Sequence, residues 1–436
     1  MCHPAHVGSM DIADIVWIPA GTRFGVSDMV FYQGKNDRSL DDVLAGIDLI
    51  VTGPHATAAF PAEMQPFVDP RLTTRLQFDF CDISTSPVAR HWAAVDPKVL
   101  YIENPHPRAV RDANRACPAD PLSALREAFD RLAADPGAHP SLGGVDAIRP
   151  VTFGYLPVLR RPETDAEWQQ LGAALAGAGQ LGVDEYERVR DHLIEQVIEA
   201  KLRHLADVDP TQVSVADWTS AGTLDVLSIH DTMNHTARPD GAICLERAPV
   251  DRLPNVVALA NRGDADAEAI ALDVAGVRGE IDVPTMAPKR LRSIGNAYRV
   301  AFAAYGSDDV AHNRPYTGGY ETQTVGPRLR HLEPLAVVRP AGSPARSLRF
   351  GAWQNEFLRE FLLGPDATRA MMQPGSDWPG IPDARAERIA RALKGAHDLV
   401  RAWGTRLDGA CQGIGLDESP DVEEDGSPLR WEVGQR

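Results

Sequence analysis

The sequence predicts an α/β fold with a mixed, largely parallel central sheet flanked by helices. Short apolar runs typical of buried strands alternate along the chain with segments of helical periodicity, which is the pattern of strand–helix–strand units. Two of the apolar runs end at a histidine, and the ligands of open α/β sheets gather at the carboxyl ends of strands. A chain of 436 residues is long enough to bury a large core.

Four apolar runs are the strand candidates. The first ends at Gly53-Pro54, a pair that stops regular structure, and His55 follows it directly. The third run is likewise followed by a histidine, His230. The predicted strands cover residues 47–54, 98–103, 224–229 and 255–260, and a fifth segment, 347–363, combines a strand with the start of a helix.

Amphipathic segments between these strands predict helices. In the longest, Leu193, Ile194, Val197 and Leu202 fall on one stripe, as expected of a helix that packs one face against a core. The predicted helices cover residues 87–94, 121–134, 168–176, 184–205 and 289–305. Their alternation with the strands favours the mixed, largely parallel sheet.

One domain is predicted to hold most of the chain. Residues 41–405 are expected to form a single α/β domain with a helical insertion around 120–215. Residues 1–40 precede the first strong strand and are expected to form an N-terminal extension. Residues 406–436 are predicted to be a disordered tail, because they are acidic and lack hydrophobic periodicity.

Charge and cysteine content limit the classes of partner. The formal net charge of -17 argues against nucleic-acid binding, which requires a basic face. The 5 cysteines include no C-x-x-C pair, which indicates a reduced, cytoplasmic protein without disulfides. No signal peptide or apolar stretch of transmembrane length is visible, so the sequence predicts no membrane partner. It leaves the oligomeric state open.

Two histidines indicate a metal site. Strand ends are rigid mounts, and a metal site needs a few neutral imidazoles and a carboxylate, with one position open for water. His55 and His230 can supply the imidazoles. Asp82 is the first candidate for the carboxylate, because it stands in an apolar stretch where an acid requires a cation or metal. Asp79 and Glu63 remain alternatives, as does the interpretation that the two histidines share no site.

The segment Arg108-Ala-Val-Arg-Asp-Ala-Asn-Arg115 suits a carboxylate ligand. The guanidinium of Arg115 presents a planar fork of donors that matches a carboxylate in two parallel hydrogen bonds. Asn114 adds a directional amide donor, and Asp112 can hold either Arg108 or Arg115 in position. The alternative is a solvated surface ion pair.

Two later segments add polar groups. A turn at Asn313-Arg-Pro-Tyr316-Thr-Gly-Gly lets the backbone approach a ligand closely. In Gln354-Asn-Glu356-Phe-Leu-Arg359, the glutamate lies near aromatic residues, and partial burial would raise its pKa toward that of a base that activates water. Arg359 is a further carboxylate or oxyanion donor. Either segment alone is also compatible with a surface turn or a surface ion pair.

Taken in order, these segments resemble the N-formylglutamate amidohydrolase family, a branch of the zinc carboxypeptidase-like hydrolases. The resemblance runs from about Val51 to Leu363. Its motifs are Pro54-His55, Asp82-Ile83, Arg108-x-x-x-Asp112-x-Asn114-Arg115, His230, Asn313-x-Pro315-Tyr316-x-Gly318-Gly319 and Gln354-x-Glu356-x-x-Arg359-x-Phe361-Leu362. It implies a fold of the phosphorylase/hydrolase-like, zinc carboxypeptidase-like type.

The resemblance implies a role for each matching residue. His55, Asp82 and His230 would be ligands of Zn²⁺ or another divalent metal. Glu356 and Arg108 would be the catalytic residues, with Glu356 as the general base and later the general acid. Arg108 would also help to hold a substrate carboxylate. The substrate-binding residues would be Asn114, Arg115, Asn313, Tyr316 and Arg359.

Three positions depart from the family's pattern. Ala56-Thr57 stands where the family has Ser-Gly, Asp231 follows the second histidine in place of serine, and Pro107 precedes the first arginine in place of serine. Asp231 can contact the metal or orient His230. These changes bear on the substrate more than on the chemistry.

The predicted function is metal-dependent hydrolysis of N-formyl-L-glutamate or a similar small N-acyl amino acid, which gives the free amino acid and formate or another carboxylate. One alternative is a related hydrolase that acts on another acylated amino acid or a short peptide. The other is a non-catalytic descendant that keeps the pocket to bind a carboxylate ligand.

Overall fold

The computed structural model describes residues 15–409, apart from residues 135, 136, 138, 210, 211, 213, 215, 216, 218, 219, 271–282 and 341–344. The strands of the described residues are β1 Trp17–Ile18, β2 Val30–Phe31, β3 Leu49–Gly53, β4 Phe60–Pro61, β5 Val99–Glu103, β6 Thr223–Thr232, β7 His235–Ala237, β8 Ile243–Glu246, β9 Val257–Ala260, β10 Val310–His312, β11 Val337–Val338, β12 Arg346–Ser347 and β13 Arg349–Leu358. Their α-helices are α1 Val26–Met29, α2 Thr74–Asp79, α3 Thr85–Val95, α4 Pro121–Ala134, α5 Asp165–Leu181, α6 Val183–Asp207, α7 Pro288–Ala301, α8 Tyr320–Leu332, α9 Arg359–Leu363, α10 Pro365–Met371 and α11 Asp383–Gly409.

A seven-stranded sheet with the order β10–β9–β13–β6–β3–β5–β2 forms the centre of the fold. Strands β13, β6, β3 and β5 are parallel to their neighbours in this run, and β10 is parallel to β9. The antiparallel pairs are β9 with β13 and β2 with β5. The prediction of a mixed, largely parallel central sheet flanked by helices is confirmed.

Continuous apolar runs become strands that are buried on both faces. Every residue of β3 and of β5 is buried. Because successive side chains of a strand point to opposite faces, Leu49 and Val51 pack in one core and Ile50 packs in another. This is why the strands lack the apolar–polar alternation of a sheet with one wet face.

Helices cover both faces of the sheet. Trp92 of α3, Tyr298 of α7 and Trp353 of β13 are completely buried on one face, where α11 also packs. On the other face, α6 and α8 contribute Tyr186 and Val325 to a separate core. The sheet is therefore the middle layer of three, and its strand ends are the edges at which polar side chains can meet.

The predicted helices and strands are all present, with shifted ends. Helix α6 buries Leu193, Ile194 and Val197 of the predicted stripe. Helix α7 ends at Ala301, four residues before the predicted end. The reason is local, because Ala303 adopts a left-handed backbone conformation (φ 50°) through which a helix cannot continue.

The segment before residue 41 supplies an edge strand, because β2 pairs antiparallel with β5 and β1 pairs with β4. Helix α11 reaches Gly409, so the first residues of the predicted acidic tail are helical, whereas 410–436 lie outside the described residues. The division into extension, domain and insertion stays a prediction. None of the described helices has the length and apolar character needed to cross a bilayer.

Arg401 connects α11 to the segments that lead into two central strands. Its guanidinium donates two hydrogen bonds of 2.8 Å to Asp48, which precedes β3. It donates a third, of 3.0 Å, to Asp96, which lies shortly before β5. All three side chains are buried, and this one guanidinium contacts both carboxylates.

Arg401→Met is expected to lower the free energy of unfolding by about 3–5 kcal/mol, because it removes the guanidinium that contacts both buried carboxylates. Urea denaturation monitored by circular dichroism measures the loss. The matched control is Arg391→Met on the same helix, which removes an exposed pair with Glu387 and should cost less than about 0.5 kcal/mol. Equal losses in the two variants would contradict the anchoring role of Arg401.

Candidate metal centre and cavity

The candidate site lies at the carboxyl ends of three parallel strands. His55 follows β3 by two residues, while His230 and Glu356 lie near the ends of β6 and β13. The parallel register of β6 and β13 pairs Glu356 with His230. Strand alternation places both side chains on the face of the sheet that α8 covers, and so brings a carboxylate beside an imidazole.

His55, Asp82 and His230 form a buried group of metal-ligand atoms. Nδ1 of His55 lies 3.1 Å from Oδ2 of Asp82, and Nδ1 of His230 lies 2.8 Å from the same oxygen. One ligand atom from each residue lies within 4.8 Å of the others, and the three residues are at most 4% exposed. Two imidazoles and one carboxylate are a donor set that Zn²⁺ uses in hydrolases.

The other nitrogen of each imidazole is held from behind, as is usual for metal-ligating histidines. Nε2 of His55 lies 2.6 Å from Oδ1 of Asp112, and Nε2 of His230 lies 2.9 Å from Oγ of Ser228. If each Nε2 carries the ring proton, both Nδ1 lone pairs face the Asp82 carboxylate and repel it. A cation between them removes this repulsion, so these residues fit a divalent metal.

The pKa shifts of the site residues also indicate that the site favours a positive charge. Burial would raise the pKa of Asp82, but His55, His230 and Arg108 outweigh burial and hold this pKa well below its usual range. Burial and Arg108 would lower the pKa of His55, but Asp112 and Asp82 outweigh them and raise it. The two carboxylates therefore stabilise positive charge at this point of the fold.

Asp112 connects the predicted arginine motif to the histidines. Its Oδ2 accepts hydrogen bonds from Nε of Arg108 at 3.1 Å and from Nη2 at 2.8 Å. Its Oδ1 accepts from the backbone N–H of Asn114 at 2.8 Å and faces His55. Nη1 of Arg108 lies 3.7 Å from Oδ1 of Asp82. Most of this guanidinium is thus used within the protein.

The ligand group opens into a cavity of about 350 Å³. Glu356 lies in its wall and accepts a hydrogen bond from Nε2 of Gln354 at 2.9 Å. Burial raises the pKa of Glu356, and His230 and Gln354 offset only part of this shift. The cavity is lined by His55, Asp82, Arg108, Asn114, Arg115, Phe153, His230, Thr232, Arg247, Pro315, Tyr316, Thr317, Gly318, Gly319, Gln354 and Glu356.

Asn114 and Arg115 line this cavity but already have protein partners. Oδ1 of Asn114 accepts from the backbone N–H of Glu321 at 3.0 Å, and its Nδ2 lies 3.4 Å from Nε2 of His230. Arg115 donates from Nε to Asp146 at 3.1 Å and from Nη1 to the backbone oxygen of Asn114 at 3.0 Å. Their role as a clamp for a substrate carboxylate stays a prediction.

Asn313 is not among the residues that line the cavity, and its role in substrate binding stays a prediction. Its Nδ2 donates to Oδ1 of Asn261 at 2.9 Å and to the backbone oxygen of Asp264 at 2.7 Å. The buried amide therefore stabilises the loop after β9. Tyr316, three residues later, does line the cavity.

Arg359 is also not among the residues that line this cavity, and its role in substrate binding likewise stays a prediction. Its guanidinium donates to Asp231, to Oδ1 of Asp79 at 2.8 Å and to the backbone oxygen of Cys81 at 2.8 Å. A fully buried guanidinium is stable only where nearby carboxylates balance its positive charge, and this explains its position beside Asp231 and Asp79. Its contacts fix the segment that leads into Asp82.

The structure separates the three carboxylates considered as metal ligands. Only Asp82 lies with the two histidines. Asp79 pairs with Arg359, and Glu63 accepts a hydrogen bond of 2.6 Å from the backbone N–H of Gly21. The sequence could not rank the three by position along the chain, since the path between α2 and α3 decides which one reaches the site.

Two glycines let the loop before α8 pass close to the site. Gly318 has a φ of 108°, which glycine adopts without steric cost. A Cβ atom on Gly319 would lie 2.1 Å from Nδ2 of Asn114, so this position requires a residue without a side chain. The backbone of the turn makes the predicted close approach, and the group that it approaches is the side chain of Asn114.

The sequence reasoning missed two polar residues at the site. Ser228 lies two positions before His230 on the same strand. Because side chains two positions apart on a strand point to the same face, the sequence could have indicated Ser228 as a neighbour of His230. Arg247 follows β8 and had no such signal, because its hairpin reaches the site only in the folded chain. Nε of Arg247 donates to the backbone oxygen of Met233 at 2.8 Å, and no described residue supplies a hydrogen-bond partner for its terminal nitrogens.

A second cavity, of about 360 Å³, lies near the opposite ends of β3 and β6. Its wall contains the ion pairs of Arg401 with Asp48 and of Arg290 with Asp225. Among the described residues, the group around Asp82 is the set of ligand atoms that converges enough to hold a metal. The candidate metal site therefore belongs to the first cavity.

Comparison with known proteins adds little to this description. No protein-family model matches the chain, and no curated protein matches it by sequence. Among solved structures, the crystal structure of N-formylglutamate amidohydrolase from Ralstonia eutropha JMP134 at 2.00 Å resolution is similar at a TM-score of 0.42 and 17% sequence identity. The match covers 83% of this chain and 93% of that chain. Function therefore has to follow from the residues of the site.

Asp82→Asn is expected to weaken Zn²⁺ binding by at least about 100-fold, because losing a ligand should exceed the usual effect of losing an outer partner. Competition with a chromophoric chelator measures the affinity. Glu63→Gln is the matched control, and its affinity should stay within about twofold of the wild type because Glu63 lies outside the ligand group. Wild-type affinity in Asp82→Asn would show that Asp82 is not a ligand.

Proposed function

We propose that the chain is a metal-dependent amidohydrolase that cleaves N-formyl-L-glutamate or a similar N-acyl amino acid. The products would be the free amino acid and formate or another carboxylate. The observation that carries the proposal is the convergence of His55, Asp82 and His230 with Glu356 on one cavity. A metal site, a base and nearby arginines are the parts that hydrolysis of an anionic amide requires.

Zn²⁺ is the proposed metal, because two histidines and one carboxylate form a known catalytic ligand set for it, although other divalent ions accept the same ligands. When bound, the metal supplies a Lewis acid that polarises the amide carbonyl and lowers the pKa of water. His55, Asp82 and His230 hold it, while Asp112 and Ser228 orient the two imidazoles.

Glu356 moves the proton in this proposal. It accepts a proton from water as the water oxygen attacks the carbonyl carbon. Burial raises its pKa, which makes the carboxylate a stronger base. Gln354 donates to Oε2 and so fixes the carboxylate on the strand. When the C–N bond breaks, Glu356 returns the proton to the amine nitrogen, and the carboxylate is restored.

Arg108 stabilises the negative charge that develops on the carbonyl oxygen. Its Nε and Nη2 are held by Asp112, so the guanidinium has one fixed orientation. Its Nη1 lies 3.7 Å from Asp82, at the edge of the ligand group. A hydrogen-bond donor that is already in place does not have to reorient when the negative charge forms. This preorganisation is the main reason why such donors stabilise a transition state.

Two arginines with unused donors are the proposed contacts of the substrate carboxylate. Arg115 has its Nε and Nη1 engaged, and its side chain is 36% exposed. Among the described residues, Arg247 is held only through Nε, and it lines the same cavity. The cavity therefore has local positive charge although the whole chain is acidic, and charge at short range decides which ligand enters.

Formate release from N-formyl-L-glutamate tests the proposal. We expect wild-type turnover that depends on added Zn²⁺ and stops after chelation. Glu356→Gln should lower kcat by about 10²–10⁴-fold, the usual contribution of general acid–base catalysis. Its Zn²⁺ affinity should stay unchanged, because Glu356 is not one of the three ligands.

Glu387→Gln, an exposed change on α11, is the control and should keep wild-type kcat. Turnover of other N-acyl amino acids or short peptides, without formate release, would keep the hydrolase and change its substrate. Zn²⁺ binding without turnover of any amide would contradict the proposal and favour a protein that binds a carboxylate ligand.

Arg247→Gln and Arg115→Ala should each raise KM by about 10–100-fold with a smaller effect on kcat, because a hydrogen bond to a charged group contributes about 1.5–3 kcal/mol. Steady-state kinetics with the best substrate of the panel measures both constants. Arg238→Gln is the control on the same hairpin, where Arg238 pairs with Asp240 away from the cavity. An unchanged KM in both variants would remove these arginines from substrate binding.

A further inference from the structure

A buried carboxylate lies behind the metal-ligand group and has no assigned role in the reaction. Glu321, in the first turn of α8, is only 2% exposed. Its Oε1 accepts from the hydroxyl of Tyr186 and from Nη1 of Arg190, each at 2.7 Å. Its Oε2 accepts from Oγ1 of Thr52 at 2.8 Å and from Oγ of Ser228 at 2.7 Å. Three elements, α6, β3 and β6, thus place four donors on one carboxylate.

Glu321 is ionised in this setting. Burial would raise its pKa, but Arg190 and the hydrogen bonds from Tyr186 and Ser228 outweigh burial and lower it. An ionised carboxylate only accepts hydrogen bonds, so each hydroxyl that contacts it must use its proton to donate.

The direction of the Ser228 hydrogen bond determines which ring nitrogen of His230 carries a proton. The serine hydroxyl has one proton, and it is donated to Glu321. Nε2 of His230 has two polar neighbours, Oγ of Ser228 at 2.9 Å and the amide nitrogen Nδ2 of Asn114 at 3.4 Å. The shorter contact, to Oγ, must then be made by an N–H on the ring, and it outweighs the long contact to the amide. In a neutral imidazole this leaves Nδ1 as a bare lone pair, which faces Oδ2 of Asp82 at 2.8 Å.

We propose that Glu321, acting through Ser228, is a positioning residue that fixes His230 as the Nε2–H tautomer and so presents Nδ1 to a metal. Neither residue belongs to the candidate ligand group, and neither lines the cavity. The inference requires metal binding by His55, Asp82 and His230, and it is independent of which amide is cleaved. Glu321 also donates its backbone N–H to Asn114, so the same residue supports a cavity wall.

Thr52 provides a matched control for Ser228. Both are buried hydroxyl residues that donate to the same oxygen of Glu321, but only Ser228 has a recorded hydrogen bond to a histidine. Loosening of Glu321 would affect Ser228→Ala and Thr52→Val alike. A specific effect on the His230 tautomer would appear only in Ser228→Ala.

The experiment measures Zn²⁺ affinity by chelator competition. Ser228→Ala should weaken binding by about 10–100-fold, the usual effect of removing an outer partner of a ligating histidine, and Thr52→Val should change it by less than about threefold. Nitrogen-15 NMR of the Zn²⁺-bound protein adds a direct readout. A slowly exchanging proton on Nε2 of His230 is expected in the wild type and Thr52→Val, and its rapid exchange is expected in Ser228→Ala.

Equal losses of affinity in the two variants would overturn the proposal, because they would show a general structural effect. Wild-type affinity in Ser228→Ala would also overturn it. If Ser228→Ala fails to fold, the wild-type spectrum decides, since a proton on Nδ1 in place of Nε2 excludes the proposed tautomer. Absence of amide hydrolysis would contradict the proposed reaction and leave these results intact.

Discussion

The shared contact of Asp82 with two imidazoles is the constraint on which the site depends. One carboxylate oxygen lies 3.1 Å from His55 and 2.8 Å from His230, and all three residues are buried. Such a group is costly without positive charge, because burial penalises the carboxylate and bare imidazole nitrogens repel it. The strands, the loop after α2 and the arginine motif all converge on this point, and the ligand atoms that they bring together could hold a divalent cation.

The residues around this group follow the general rule that buried polar atoms have hydrogen-bond partners. Asp112 holds His55 and is held in turn by Arg108, so the motif that the sequence suggested as a carboxylate clamp serves first to orient a ligand. Ser228 holds His230 and is held by Glu321. Each histidine thus has a carboxylate behind it, one in direct contact and one through a hydroxyl. This arrangement leaves the cavity side of both rings free to act on a metal.

Much of the fold could be predicted from the sequence, because apolar runs and helical stripes are local patterns. The same holds for His55 and His230, which directly follow or end such runs. Asp82 was placed before Asp79 and Glu63 because of its apolar context, and it is the one of the three that lies with the histidines. The path of the short loop that brings it there could not be predicted. Glu321 and Arg247 were missed for a stronger reason. Their roles depend on contacts between elements that are distant in sequence. The periodicity of residues along the chain gives no information about such contacts.

Asp231 shows how strand periodicity resolves a departure that the sequence left open. It follows His230 where the resembling family has serine, and it could have been a ligand or a partner of the histidine. Successive residues of a strand point to opposite faces, so His230 and Asp231 cannot both reach the metal position. Asp231 instead pairs with Arg359, and burial raises its pKa to about 7. Asp231 therefore lies on the face of the strand opposite to His230 and outside the candidate metal-ligand group.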